Sequence, residues 1–187
     1  MDDLESFVAE MESSAAQPAS GAREFRSLVA EYLPLNRRRT HGDPPLAPAE
    51  LEAWTELREV LEYHLGSANP PLGGSRRRSL RVPTDLKVRI SERGEAVASL
   101  HDLSEDGAFI ESRESQEPGS RLALEIDPGS GEPLLRLDAV VRWGRELPNM
   151  DGPAGVGVEF LNVEDGDFAA LGRLVEAALL ALGRSAD

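Results

Sequence analysis

Apolar positions recur every three or four residues over the first third of the chain and every second residue over most of the remainder. Leu4, Phe7, Val8 and Met11 form one helical stripe; Phe25, Leu28, Val29, Tyr32 and Leu33 form a second; Leu51, Trp54, Leu57, Leu61 and Leu65 form a third. That spacing predicts three amphipathic helices. Gln17-Pro18-Ala19-Ser20-Gly21 separates the first from the second, and Thr40-His41-Gly42-Asp43-Pro44-Pro45 the second from the third, because proline removes an amide donor and disfavours helix in the residue before it. Pro48 suits a first helical turn, and Glu50 and Glu52 suit the positive end of the helix dipole. About 65 residues of short helices make a thin core by themselves, so this region is expected to pack on something else: the rest of the chain, a second copy or a partner.

Gly66-Ser67-Ala68-Asn69-Pro70-Pro71-Leu72-Gly73-Gly74-Ser75 has the composition of a linker. The expected organisation is therefore a helical region over 1–66, a linker over 67–75 and a second domain over 76–187. In that domain Leu86, Val88 and Ile90 alternate with polar residues, as do Leu122, Leu124 and Ile126, then Leu135 to Trp143, then Val156, Val158 and Phe160. With two shorter strands near Glu95–Leu103 and Ala108–Glu111, the count is six, each with one wet face. The parity places Trp143 and Phe160 inside. Several short antiparallel strands with one apolar face suggest a small closed barrel, since closure removes exposed edges. A last helix, from Asn162 or Asp165 to about Leu182, carries the stripe Phe168, Leu171, Leu174, Val175, Ala178, Leu179 and Leu182. The expected class is α+β: a six-stranded antiparallel β-barrel with a C-terminal helix, preceded by a small all-helical region.

Charge narrows the function. The chain of 187 residues has 34 acidic and 20 basic residues, a net −14, which opposes general binding to duplex nucleic acid or to an anionic membrane surface. Any anion must be met by a local concentration of positive charge. Cysteine is absent, which excludes disulfides, thiolate zinc sites and a cysteine nucleophile. The start, MDDLESFVAEMES, carries neither a basic leader nor a signal-length apolar stretch. No run approaches the roughly 20 apolar residues of a membrane span. A cytoplasmic location is the expectation.

Lys87 is the only lysine, and arginines cluster at 37–39 and at Arg76-Arg77-Arg78 with Arg81. The first group is expected to be a helix-terminal charge cluster, with contact to a ligand or partner as the alternative. The second lies between the linker and the first strand, and Pro83 disfavours helix at Val82, so an extended, mobile arm is expected. Guanidinium groups fork onto phosphate oxygens or the O6/N7 edge of guanine and stack on purines; a solvated tether has the same composition. Asp102-Leu103-Ser104-Glu105-Asp106-Gly107 ends a strand. Period two places Asp102 and Ser104 on one face, where a carboxylate can accept from guanine N1–H and N2–H2 and a hydroxyl can assist. Glycine permits a tight turn or a close ligand approach. An Asx or Ser turn closing a hairpin also fits the hexapeptide.

Arg-x-x-x-Arg, then Asp-x-Ser-x-x-Gly about 20 residues on, then Val140-Val141-Arg142-Trp143 and Gly155-Val156-Gly157-Val158-Glu159-Phe160, resembles the PilZ domain family throughout residues 75–183. The resemblance implies a six-stranded barrel with a C-terminal helix that binds the second messenger cyclic diguanylate (cyclic di-GMP). It implies that Arg77 and Arg81 clasp guanine and phosphate, and that Asp102, Ser104 and Gly107 form the binding surface on the barrel. Arg76 and Arg78 are candidates for further contacts, including to a second, stacked nucleotide. On this reading the protein is a receptor, not an enzyme; binding would order the 66–82 arm and signal to a downstream protein partner, with motility or surface polysaccharide as the expected process. The alternative is an interaction adaptor whose barrel binds no nucleotide. No cofactor or metal is expected: His41, His64 and His101 share no ligating spacing, and Ser104 has no base in a nucleophile context. Nine aromatics are few for single-stranded nucleic acid. The stripes at 25–33 and 51–65 make a homo-oligomer an expectation.

Overall fold

Alternation of apolar and polar residues beyond Arg81 becomes, among the described residues, seven antiparallel strands: β1 (Val82–Pro83), β2 (Lys87–Ile90), β3 (Ala96–Leu103), β4 (Gly107–Glu111), β5 (Arg121–Asp127), β6 (Leu135–Arg145) and β7 (Gly155–Leu161). The computed structural model describes residues 24–40, 44–66, 78–91, 96–112, 116–129, 131–148 and 152–185. The expected helix at Leu4–Met11, the linker at 67–75, and Arg76, Arg77 and His41 lie outside them.

Strands β2 to β7 close into a six-stranded barrel in the order β3-β2-β5-β6-β7-β4, with β4 returning to pair with β3. The ring leaves no long edge open. Facing pairs such as Val88 with Ile126 and Leu124 with Leu137 follow from the ladder registers. Val88, Leu100, Ile110, Ile126, Ala139 and Val141 are buried inside, as period two requires of a half-wet strand.

The two-residue β1 is a correction to the expected mobile arm. Val82 pairs with Leu103 and Pro83 with Asp102, the Thr84 amide donates to the His101 carbonyl, and Leu80 and Val82 are buried. Two apolar side chains in the core tie residues 80–83 to the barrel, a tertiary effect that a stretch this short does not signal by periodicity.

Asn162, at φ 49°, turns β7 toward α3 (Asp165–Ser185); asparagine tolerates this left-handed conformation better than most residues. Asp165 and Asp167 sit in the first turn of α3, where carboxylates meet the positive helix end. Leu171, Val175 and Leu179 of its stripe are buried. The chain divides into two compact units, residues 1–69 with 179–187, and residues 70–178, so α3 contributes to both. None of the helices among the described residues is long and apolar enough to cross a membrane.

In the first unit, α1 (24–40) and α2 (Pro48–His64) are the second and third helices predicted from periodicity. Pro48 occupies the first turn of α2, and Glu50 accepts from the Ala47 amide at 2.9 Å. Arg38 pairs with Glu50, and these two donors hold its carboxyl below the ordinary carboxylate value, the guanidinium first. Trp54 is buried between guanidinium groups, with Arg39 Cζ 4.4 Å and Arg58 Cζ 5.5 Å from its ring. Two of the three clustered arginines at 37–39 thus serve this unit internally. Asn36 Oδ1 accepts from both Tyr32 Oη and Trp54 Nε1 at 3.0 Å. Asn36→Leu removes that shared acceptor and is expected to cost about 1–3 kcal/mol, measured as a lower urea midpoint.

Candidate functional site

Asp102 stands at the end of β3, just after a register shift against β4 between Leu100 and Asp102. Such a bulge re-aims side chains. Asp102 Oδ1 accepts from the Phe109 amide at 3.1 Å and lies 3.4 Å from Arg81 Nη1. Its Oδ2 has no donor among the described residues. Both side chains are about one quarter exposed. A carboxylate with one oxygen tied to the sheet and the other open is set to accept hydrogen bonds from a ligand edge.

The loop that follows is a closed turn. Ser104 donates from its amide and its hydroxyl to the Gly107 carbonyl, at 2.8 and 3.0 Å. Ser104 is buried, so its hydroxyl first holds the turn, and only its lone pairs remain for a ligand. Asp106 is exposed, while its carbonyl accepts from the Phe160 amide at 2.9 Å. Gly107 answers a packing demand: a Cβ there would overlap the Val158 carbonyl oxygen of β7. Close approach of β4 to β7 requires glycine at this position, whatever it does for a ligand.

An open cleft of about 650 Å³ lies beside this turn. It is lined by Arg78, Arg81, Ser104, Glu105 and Asp106, by Arg142, Trp143, Gly157 and Glu159 of β6 and β7, and by Phe168 of α3. Of the residues singled out from sequence, Arg78, Arg81 and Ser104 therefore meet in one cleft, Asp102 is joined to it through Arg81, and Gly107 builds its turn. Arg76 and Arg77 lie outside the described residues. The lining carries three arginines and three carboxylates among the described residues, a more even balance than the chain's net −14.

Arg142, Trp143 and Glu159 are residues the sequence pattern does not assign to a site, and Trp143 corrects the parity reading. β6 carries a register shift between Val141, opposite Val158, and Trp143, opposite Gly157. Arg142 is the extra residue, so Arg142 and Trp143 both face outward, and Trp143 is 41% exposed. Phe160 is buried, as its parity predicts. Trp143 stacks on Phe109 with centroids 5.2 Å apart and planes 21° apart, and its indole covers Gly157, where a Cβ would overlap the ring. Arg145 Cζ lies 5.2 Å from the Phe109 ring and donates from Nη1 to the Pro153 carbonyl at 3.1 Å. Alternating glycines in a strand, Gly155-x-Gly157, were the available signal that something packs closely on that face. His101 is exposed and meets Phe109 edge-on, and His64 meets Phe25 likewise.

The family model for the PilZ domain matches residues 75–177. Among solved structures, the chain is similar to the PilZ domain with c-di-GMP of YcgR from Escherichia coli, at 20% identity and TM-score 0.47, covering 60% of this chain and 98% of that one. It is similar to the inhibitor of motility MotI/DgrA of Bacillus subtilis, at 22% identity and TM-score 0.49, covering 60% of this chain and 57% of that one. The MrkH–c-di-GMP complex of K. pneumonia is 17% identical with TM-score 0.43, covering 60% of this chain and 54% of that one. The chain thus spans nearly all of the first structure and little over half of the other two. No curated protein sequence matches it significantly.

Proposed function

This chain belongs to the PilZ domain family, and from that premise we propose that its barrel cleft receives cyclic di-GMP and that the protein is a receptor for this messenger. The observation that supports this best is the meeting of Arg78, Arg81 and Ser104 with Trp143 in one cleft, with the half-free Asp102 carboxylate paired to Arg81. Each group matches a part of the ligand. Asp102 Oδ2 accepts from guanine N1–H and N2–H2, the arginines fork onto O6/N7 and onto phosphate oxygens, and the outer face of Trp143 carries a base. Arg77 and Arg76, next in sequence to Arg78, supply further guanidinium groups for the two phosphates on this reading.

A small dianion suits a site of this size in an acidic chain better than a polymer, whose many phosphates meet the surrounding carboxylates. Residues 80–83 are held in the barrel already, so binding acts through Arg77 and the cleft wall, and not by ordering the whole 66–82 segment. Residues 1–66 are the output region, joined through 67–75 and read by a protein partner or a second copy; motility and surface polysaccharide are the processes in view. A receptor of this kind needs no catalytic group and works in the cytoplasm.

Titration calorimetry of the full chain with cyclic di-GMP tests the reading. Saturable binding is expected, and Trp143→Ala is expected to weaken it about tenfold, the loss of roughly 1–3 kcal/mol of base stacking. A flat titration at high nucleotide concentration would leave the adaptor reading instead.

A further inference from the structure

The cleft lining also holds a second carboxylate–guanidinium pair, besides the one that Arg81 makes with Asp102. Arg142 Nε donates to Glu159 Oε2 at 2.6 Å across β6 and β7, and the two side chains are 56% and 50% exposed. The pair uses one N–H and one oxygen. Glu159 Oε1 and the terminal nitrogens of Arg142 have no partner among the described residues. Alternation along β6 already places Arg142 on the outer face, and the bulge turns its neighbour Trp143 outward beside it. Without the bulge, strand alternation would send one of these two neighbours into the core. Both members of the pair and Trp143 line the same cleft as Arg81.

From this arrangement, and resting on the receptor reading above, we infer that Glu159 with Arg142 reads the edge of a second guanine and sets the base specificity of the cleft. Guanine offers two adjacent donors, N1–H and N2–H2, beside the acceptors O6 and N7. A carboxylate oxygen and free guanidinium N–H groups in one fork match that pattern. Adenine places a ring acceptor where guanine has N1–H, so Glu159 would face a lone pair and Arg142 an amino donor. A cyclic dinucleotide with two guanines therefore has a reader for each base: Asp102 with Arg81, and Glu159 with Arg142.

A cross-strand Arg–Glu pair on a barrel exterior also has a purely structural use, and the chain contains an internal control for it. Arg136 Nε donates to Glu125 Oε1 at 2.9 Å between β5 and β6, away from the residues that line this cleft. If Glu159 acts only as such a strut, Glu159→Gln and Glu125→Gln will behave alike.

The experiment is calorimetry of the full chain with cyclic di-GMP and with the mixed-base cyclic GMP–AMP. Wild type is expected to prefer cyclic di-GMP by about tenfold or more, the worth of one charge-assisted contact pair. Glu159→Gln is expected to close that gap to within about threefold by weakening cyclic di-GMP alone, while Glu125→Gln keeps the wild-type gap. Melting curves matching wild type show that the pair's removal leaves the barrel intact, as an exposed ion pair should. A gap unchanged in Glu159→Gln, or absent in wild type, overturns the specificity role while the receptor reading stands. Failure of wild type to bind either nucleotide overturns both.

Discussion

Asp102→Ala is expected to weaken cyclic di-GMP binding by about one hundredfold, the loss of two hydrogen bonds from guanine donors to a carboxylate. The size of the effect follows from how Asp102 is held. Its Oδ1 is committed to the Phe109 amide and to Arg81, which holds the carboxylate in position before any ligand arrives. Oδ2 then meets the base with little reorganisation, the condition under which a polar contact contributes most. Alanine also frees the Phe109 amide and Arg81, so part of the loss would come from disturbed geometry. Asp102→Asn separates the two contributions. It keeps an oxygen for the Phe109 amide but presents an amide donor or a neutral acceptor to the base, and a loss of about tenfold or more is expected with an unchanged melting point. Calorimetry of both variants reads the result; affinities within about threefold of wild type for both would remove Asp102 from the site.

Gly107→Ala is expected to lower stability by about 3 kcal/mol, larger than an ordinary surface change, because the added methyl group overlaps the Val158 carbonyl oxygen. Gly107 pairs with Glu159 on β7, and its own carbonyl takes both Ser104 donors. Neither side has room to give: Val158 is a buried strand residue, and the turn is closed by two hydrogen bonds. For a domain of about 100 residues the melting point should fall by upwards of about 10 °C. A drop in stability without nucleotide present would show that the last position of the Asp-x-Ser-x-x-Gly motif is required by packing of β4 on β7. A melting point within about 2 °C of wild type would mean that the strands separate to admit the methyl, and that the glycine answers to the ligand.

Much of the fold is legible in the sequence because each element needs only local information. Val88 with Ile90, or Leu122 with Leu124 and Ile126, announce a half-buried strand by alternation alone, and Pro48 with Glu50 announce a helix start. The candidate site residues Arg81, Asp102 and Ser104 are legible for a related reason: their types and spacing lie within short stretches on either side of one hairpin. Trp143 is misread from the same rule. Its parity matches Val141 only if β6 is uninterrupted, and the interruption at Arg142 is a property of the β6–β7 ladder, not of β6. Glu159 is hidden likewise, since its value comes from standing across from Val140, beside Arg142. β1 escapes notice because two residues have no period.

Chain order alone sets the succession of elements, the change from helical to strand period near residue 75, and the gathering of scarce positive charge next to a carboxylate motif. These depend on which residues are neighbours along the backbone. Which residues face the cleft is settled by packing instead: the β6 bulge turns Trp143 outward beside Arg142, β4 lies so close to β7 that Gly107 is obligatory, and Leu80 and Val82 bind the arginine segment to the barrel. Those outcomes depend on register between strands distant in the chain, where one extra residue in a ladder reverses the side every later residue presents.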